Sequence, residues 1–210
     1  GGESFTDLTA GLGVDCSFLA RRFRRADYVE RQETLCRLAA HNFPLLGLDH
    51  IRVHHADALE YLREMEPVDC LFLDPARRDS HGGKTVAITE CEPDVCALES
   101  LLVEKGRKVM VKLSPMLDMA SALRDLKYIR ELHVIAVNNE CKELTAVLYR
   151  MNSVNESSEK EVVISCEQAV HNSLSEPFTY TLSEEKNAVC QLADRVETYL
   201  YEPGAALLKA

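Results

Sequence analysis

The stretch SFTDLTAGLGVD, from Ser4 to Asp15, decides how the first part of the chain folds. It begins as an apolar-leaning strand and runs into a turn that contains Gly11 and Gly13. In dinucleotide-binding folds such a turn binds phosphate, and a third glycine lets the following helix approach the strand. Cys16 occupies that third position here. Taken alone, the turn is as consistent with a tight connection as with a ligand site.

Strand and helix patterns alternate from this turn onward, which is typical of a parallel sheet covered by helices on both faces. We expect strands at 4–8, 26–31, 51–58, 68–75, 107–115, 129–139 and 143–151. We expect helices at 14–23, 32–47, 59–65, 94–106 and 119–126. The fourth strand is apolar between its ends and should be central. The seventh follows the sixth after a short turn, as an antiparallel neighbour could.

Four acidic residues follow the strands of this pattern, namely Asp7, Glu30, Asp57 and Asp74. In an open parallel sheet the strand ends meet at one edge, where ligands bind. Four carboxylates would repel a polyphosphate unless metals intervened, but they suit a ligand with a cationic centre, a free ribose and an adenine. S-adenosylmethionine has all three. Glu30 could accept from the ribose hydroxyls, Asp57 from the adenine amino group, and Asp7 could serve the ammonium group.

Each of these assignments has a structural alternative. Asp7 could only cap the turn that follows it, and Glu30 could be the polar end of a strand. Asp57 precedes an apolar helical pattern, so it could be a helix N-cap. The backbone must approach the ligand closely at Gly11 and Gly13, where any side chain would intrude.

Together these motifs resemble those of class I S-adenosylmethionine-dependent methyltransferases. The matching segments are DLTAGLGVD, YVER, HADA and DCLFLDPARR, in the family's order over residues 4–151. The resemblance implies an α/β fold, a Rossmann-like, seven-stranded, doubly wound sheet. It implies cofactor contacts from Asp7, Thr9, Gly11, Gly13, Glu30, Asp57 and Asp74. More narrowly, TDLTAGLGVD and FLDPARRD resemble bacterial methyltransferases that carry a carboxy-terminal THUMP-like domain and act on RNA.

The composition changes near Asn152, where NSVNESSEKE reads as a polar linker. We therefore expect a methyltransferase domain at 1–151 and a small α+β appendage at 152–210, of the ferredoxin-like type that the resemblance implies. In the appendage EVVISCE and FTYTL indicate strands, and NAVCQLADRVETYL indicates a helix. We expect the chain to be a piece of a longer protein, with the appendage truncated.

The fourth motif reads Asp74, Pro75, Ala76, Arg77, and it suggests how an acceptor would be held. Amino methyltransferases often have a second proline and a stacking aromatic residue there, and both are absent. Asp74 and Pro75 are the candidate catalytic residues. No cysteine accompanies this motif or KLSP, which disfavours pyrimidine C5 methylation.

Nearby basic residues are candidates for substrate contacts. Arg77, Arg78 and Lys84 could hold phosphate groups of a substrate, since guanidinium groups suit phosphate oxygens. The two arginines could equally pair with Asp79. Lys112 is either another phosphate contact or a lysine that extends from a strand end into solvent.

Composition and charge limit the classes of function that the chain could have. The formal net charge of −10 argues against a general nucleic-acid binder. RNA is nevertheless the expected partner, and domains missing from this chain could bind it. The eight cysteines form no CxxC pair, and we expect no metal. With neither a signal peptide nor a membrane-spanning run, we expect a cytoplasmic protein.

Two alternative functions remain open, a methyltransferase for a protein or small molecule and a non-catalytic cofactor-binding scaffold. NAD binding is disfavoured because it would need the third glycine. The oligomeric state is open.

Overall fold

One ten-stranded sheet organises the computed structural model, which describes residues 1–77, 88–150, 161–170, 173–191, 194–195 and 198–210. Its strands are β1 (Gly2–Asp7), β2 (Phe23–Glu30), β3 (Ile51–His55), β4 (Val68–Leu73), β5 (Gly106–Leu113), β6 (Ile129–Val137), β7 (Glu140–Tyr149), β8 (Val163–Val170), β9 (Ser173–Leu174) and β10 (Phe178–Thr181). The helices are α1 (Val14–Leu19), α2 (Glu33–Leu45), α3 (Ala58–Glu64), α4 (Val95–Lys105), α5 (Met119–Asp125), α6 (Leu182–Asn187) and α7 (Ala205–Lys209).

The first seven strands have the order β3-β2-β1-β4-β5-β7-β6. All pairings among them are parallel except those of β7, which is antiparallel to both β5 and β6. The predicted doubly wound sheet with an antiparallel last strand is therefore confirmed. The sheet does not stop at seven strands, however, because β8 pairs in parallel with β6, and β9 and β10 pair with β8.

The strand β4 shows why helices cover both faces. Its side chains alternate between two hydrophobic cores, with Leu71 and Leu73 in the larger and Cys70 and Phe72 in the smaller. The larger core also receives buried residues of α3, α4, α5 and α7, whereas the smaller one receives those of α1 and α2. A strand that is buried on both faces is expected to be apolar, and β4 is apolar from Cys70 to Leu73, whereas Asp69 near its start is only partly buried.

Two predicted helices differ from the structure. The helix expected at 14–23 ends at Leu19, a 3-10 turn follows, and Phe23 already belongs to β2, where its ring stacks on Phe5 at 5.3 Å between centroids. The helix expected at 187–200 is absent from the described residues there, apart from its first residue. Instead α6 begins earlier, because Thr181 and Glu184 form a capping box.

The requirement for glycine in the turn at position 13 can be tested by substitution. Gly13 has φ of 79°, and a Cβ atom there would lie 3.0 Å from Phe43 Cζ and 3.3 Å from Tyr28 Cε2. Gly47 has a similar φ of 69° but no atom within 4 Å of such a Cβ. We expect Gly47→Ala to cost about 1 kcal/mol of unfolding free energy for the left-handed backbone alone, and Gly13→Ala to cost at least about 1 kcal/mol more. Urea denaturation measures both, and equal losses would contradict the contact with Phe43.

Candidate active site

A cavity of about 450 Å³ opens at the carboxyl ends of β1, β2 and β4 and at the first turns of α3 and α4. The residues that line it are Leu8, Thr9, Glu30, Arg31, Gln32, Asp57, Ala58, Leu59, Asp74, Ala76, Glu92, Pro93, Asp94, Ala97 and Leu98. Three of the four predicted acids, Glu30, Asp57 and Asp74, are therefore at one cavity. Asp7, the fourth, is only 1% exposed and is not among the lining residues.

Glu30 ties the glycine turn to the end of β2. Its Oε2 accepts a hydrogen bond from the Gly11 N–H at 3.1 Å, and its Oε1 accepts one from the Gln32 N–H at 2.8 Å. From the same strand, the Tyr28 hydroxyl donates to the Gly11 carbonyl oxygen. The position of the turn is thus set by β2, and the Glu30 carboxylate is fixed at the cavity wall.

The structure gives Gly13 a packing role that Gly11 does not share. Gly13 lies against the rings of Phe43 and Tyr28, which meet edge to face at 5.5 Å between centroids. Gly11 also has a positive φ, of 52°. Neither glycine is among the described residues that line the cavity. That the backbone of both glycines contacts a cofactor stays a prediction. The need for glycine at position 13, in contrast, follows from its contacts within the protein.

Asp57 is the N-cap of α3, the competing interpretation of the sequence. Its Oδ1 accepts from the backbone N–H groups of Leu59 and Glu60, at 2.8 and 3.2 Å. The strand β3 accordingly ends at His55, three residues before the predicted end at Ala58. The cap uses one carboxylate oxygen, and Asp57 also lines the cavity, so capping and ligand binding are compatible.

Asp7 lies beneath the cavity as a buried acid. Burial raises the pKa of its carboxyl to about 8, although the hydrogen bond from the Thr9 N–H to Oδ1, at 3.1 Å, works in the opposite direction. The nearby negative charges of Asp15 and Asp74 raise this pKa further. Asp7 therefore caps the turn, as the alternative interpretation proposed, and it holds a proton through much of the neutral pH range.

Asp74 is held by two different elements. Its backbone N–H donates to Thr9 Oγ1 at 2.7 Å, and its Oδ2 lies 3.1 Å from Lys112 Nζ. The same ammonium lies 2.8 Å from Asp15 Oδ2. Partial burial alone would lower the pKa of Lys112, but the hydrogen bonds to Asp15 and Asp74 outweigh it, so the pKa is raised and the lysine stays charged.

The sequence offered two interpretations of Lys112, a phosphate contact or a lysine that extends from a strand end into solvent. In the structure Lys112 instead bridges two acids, Asp15 and Asp74, through ion pairs. The signal in the sequence was the alternation in RKVMVKL, which places Lys108, Met110 and Lys112 on one face of β5. That pattern shows that Lys112 shares a face with other polar groups. It does not show which acids lie opposite.

Another, smaller cavity of about 190 Å³ also borders Asp74. Pro75, Lys112 and Ser114 contribute to its lining together with Asp74, which borders both cavities. Pro75 itself is buried. Asp74 could therefore contact a group bound in the smaller cavity as well as a ligand in the larger one.

The fourth motif continues into a short ladder, in which Ala76 and Arg77 pair antiparallel with Glu92 and Cys91. An ion pair of 3.3 Å between Arg31 and Glu92 connects this segment to the end of β2 across the cavity rim. Sequence reasoning did not single out either member of this pair. Arg77 follows Ala76, which lines the cavity, and its own backbone pairs with Cys91, whereas Arg78 and Lys84 lie outside the described residues.

The described residues contain neither a candidate metal site nor a candidate membrane-spanning helix. No group of three or more His, Cys, Asp or Glu side chains there could hold a metal ion. Cys91 and Cys96, which are five residues apart in the sequence, form no disulfide bond. No helix in these ranges is long and apolar enough to cross a membrane.

Comparison with known proteins gives the same architecture. A protein of Porphyromonas gingivalis W83, whose crystal structure is described as that of a candidate methyltransferase, superposes with a TM-score of 0.84 at 34% identity over 99% of this chain. The fold is that of a class I methyltransferase. The chain spans about half of that protein, 51% of its length. No protein-family model and no curated protein matches the sequence.

Two more distant structures share the fold alone. An rRNA methylase from Streptococcus thermophilus has a TM-score of 0.50 at 14% identity, covering 72% of this chain and 88% of its own. TrmK from M. capricolum, solved in complex with S-adenosylhomocysteine, has a TM-score of 0.53 at 11% identity, covering 76% of this chain and 66% of its own.

The protonation of Asp7 can be tested through stability. A carboxyl whose pKa rises from 3.8 unfolded to about 8 folded contributes stability that is complete below pH 4 and is lost as the pH rises to 8. We expect Asp7→Asn, which keeps the acceptor for Thr9, to remove this loss. The unfolding free energy of the wild type should therefore fall relative to Asp7→Asn by up to about 1.4 kcal/mol per pH unit between pH 5 and 8.

Asp69→Asn is the matched control. Backbone hydrogen bonds from Glu3 and Ser4 lower the pKa of Asp69, so its contribution changes only below pH 4. The difference between wild type and Asp69→Asn should stay constant from pH 5 to 8 in chemical denaturation. A constant difference for Asp7→Asn as well would show that Asp7 is ionised in the folded protein.

Proposed function

We propose that this chain binds S-adenosylmethionine in the larger cavity and directs methyl transfer to an acceptor beside Asp74. The observation that supports this most directly is the convergence of Glu30, Asp57 and Asp74 on one cavity at the carboxyl edge of the sheet. Ligands of open α/β sheets bind at this edge. The fold shared with methyltransferases agrees with this assignment.

The lining residues fit the proposed cofactor. Each carboxylate oxygen of Glu30 accepts one backbone hydrogen bond and has a further lone pair for a ribose hydroxyl. Asp57 offers its second oxygen for the adenine amino group. Leu59, Ala97 and Leu98 provide apolar wall for a flat ring. The acidic side chains that line the cavity, Glu30, Asp57 and Asp74, favour a ligand with positive charge.

S-adenosylmethionine supplies an electrophilic methyl group attached to a sulfonium. The work left to the protein is to align the acceptor and to exclude water. Thr9 fixes the main chain of Asp74, and the Asp74 carboxylate accepts a hydrogen bond from the acceptor, orienting its lone pair toward the larger cavity. Pro75 lines the smaller cavity, which the acceptor enters.

Binding of the cofactor is the first test. We expect calorimetry to show binding of S-adenosylmethionine and none of NAD. Glu30→Gln should weaken binding by about tenfold or more, because one oxygen that accepts from the ribose becomes a donor. Glu33→Gln changes an exposed acid in the first turn of α2 and should leave the affinity unchanged.

An affinity of Glu30→Gln equal to that of wild type would remove Glu30 from the site. Absence of heat with S-adenosylmethionine, together with binding of NAD, would contradict the proposed function as a whole.

We propose RNA as the substrate class. This rests on the resemblance of TDLTAGLGVD and FLDPARRD to bacterial methyltransferases with a THUMP-like domain. Arg77, Arg78 and Lys84 follow Asp74 closely enough in sequence to contact phosphate groups near the acceptor. The net charge of −10 agrees with a division of labour in which another part of a longer protein grips the RNA.

A methyltransferase for a protein or a small molecule is the second candidate. The acidic charge favours it, because phosphate-rich substrates are repelled by a negative surface. A non-catalytic scaffold is the third, since Ala76 and Arg77 stand where amino methyltransferases often have proline and an aromatic residue.

The substrate class can be read from cells. RNA from a strain that lacks the gene should miss one methylated nucleoside in mass spectrometry, and complementation with the wild type should restore it. Complementation with Asp74→Ala should not, although this variant should still bind S-adenosylmethionine. An identical nucleoside profile with and without the gene would contradict the RNA assignment and favour the second or third candidate.

A further inference from the structure

We propose that Lys112 is a positioning residue that holds the Asp74 carboxylate in the orientation needed to bind the acceptor. Asp15 is the second acid that binds the same ammonium group. This inference rests on the proposed function, because it needs Asp74 to act on the acceptor. It assigns a role to a residue of β5 that lines the smaller cavity and is not among the residues lining the larger one.

The geometry links three elements through one ammonium group. Lys112 Nζ lies 2.8 Å from Asp15 Oδ2, in the first turn of α1, and 3.1 Å from Asp74 Oδ2, just after β4. The Lys112 side chain is 27% exposed, whereas those of Asp15 and Asp74 are 43% and 46% exposed, so the bridge is only partly shielded from solvent and from screening by salt. With the Thr9 hydroxyl on its backbone N–H, Asp74 is fixed at both its main chain and its side chain.

Electrostatics explains why this position needs a cation. Asp7, Asp15 and Asp74 lie close enough that the charges of the latter two raise the pKa of Asp7, while Lys112 lowers it. Without the ammonium, Asp15 and Asp74 would repel each other. The Asp15 and Asp74 side chains are exposed to a similar extent, 43% and 46%, so the Asp74 carboxylate has room to turn toward solvent once the ammonium is removed.

The contacts of Lys112 favour this positioning role over direct binding of a substrate phosphate. Two carboxylates already occupy hydrogen-bonding directions of the ammonium, which has three N–H donors. A phosphate would have to compete with both acids for the same charge. Lys112 therefore acts on the reaction through Asp74.

Lys108 provides a matched control on the same strand. It lies two residues before Met110 on the same face of β5, and its ammonium is 5.7 Å from the centre of the Tyr149 ring. It has no part in the proposed site. Lys108→Met and Lys112→Met thus remove the same group from the same face, and only the second touches Asp74.

The test measures tritium transfer from labelled S-adenosylmethionine into a total extract of a strain lacking the gene, fractionated into RNA, protein and small molecules. For Lys112→Met we expect the maximal rate to fall by about 10- to 100-fold, the cost of misplacing an aligned group. The KM for S-adenosylmethionine should not change. Lys112→Arg should restore much of the rate because it keeps the charge, and Lys108→Met should match the wild type.

A crystal structure of Lys112→Met gives a readout independent of activity. We expect the Asp74 carboxylate to move away from Asp15 while the Asp74 N–H stays on Thr9 Oγ1. An unmoved carboxylate, a rate equal to that of Lys108→Met, or a loss confined to the KM for S-adenosylmethionine would overturn the inference. A wild type that binds no S-adenosylmethionine, or transfers no label to any fraction, would instead overturn the proposed function on which it rests.

Discussion

The parallel pairing of β1 with β2 on one side and β4 on the other is the constraint on which the site depends. In this register Asp7 lies beside Tyr28 of β2 and Phe72 of β4, so the three strands end within two residues of one another. The residues just beyond these ends, from the glycine turn to Asp74, are thereby brought to one edge. A slip of β1 by one residue would turn Asp7 to the other face of the sheet and separate it from Thr9 and Asp74.

Bringing acids together at a buried edge has a cost that the structure meets in three ways. Asp7 is protonated, because burial raises its pKa to about 8. Glu30 and Asp57 direct their oxygens at backbone N–H groups. Asp15 and Asp74 share the Lys112 ammonium. The acids that line the cavity are Glu30, Asp57 and Asp74. This arrangement suits the proposed cationic cofactor better than it suits a polyphosphate.

Local sequence patterns predicted much of this architecture. Alternating strand and helix signals gave seven strands, and the even apolarity of VDCLFLDP placed β4 at the centre. The rule that parallel strands end at one edge predicted that Glu30, Asp57 and Asp74 would meet. The two interpretations of Asp57, as a cap and as a cavity residue, both hold because a carboxylate has two oxygens.

Other features depend on partners distant in the chain. The segment EVVISCE reads as a strand, but nothing local says that it continues the main sheet beside β6. Lys112 meets Asp15 across 97 residues, a contact that periodicity cannot reveal. The glycine at position 13 is required by Phe43 of α2. The early start of α6 is different, because its capping box between Thr181 and Glu184 is a local signal that the sequence analysis overlooked.

The central claim is that the cavity between Glu30, Asp57 and Asp74 is a cofactor site. A crystal structure of the protein soaked with S-adenosylhomocysteine tests it most directly. The account predicts ribose hydroxyls on the Glu30 carboxylate, the adenine near Asp57, and the sulfur facing Asp74. A ligand bound elsewhere, or this cavity left empty at saturating concentration, would contradict it.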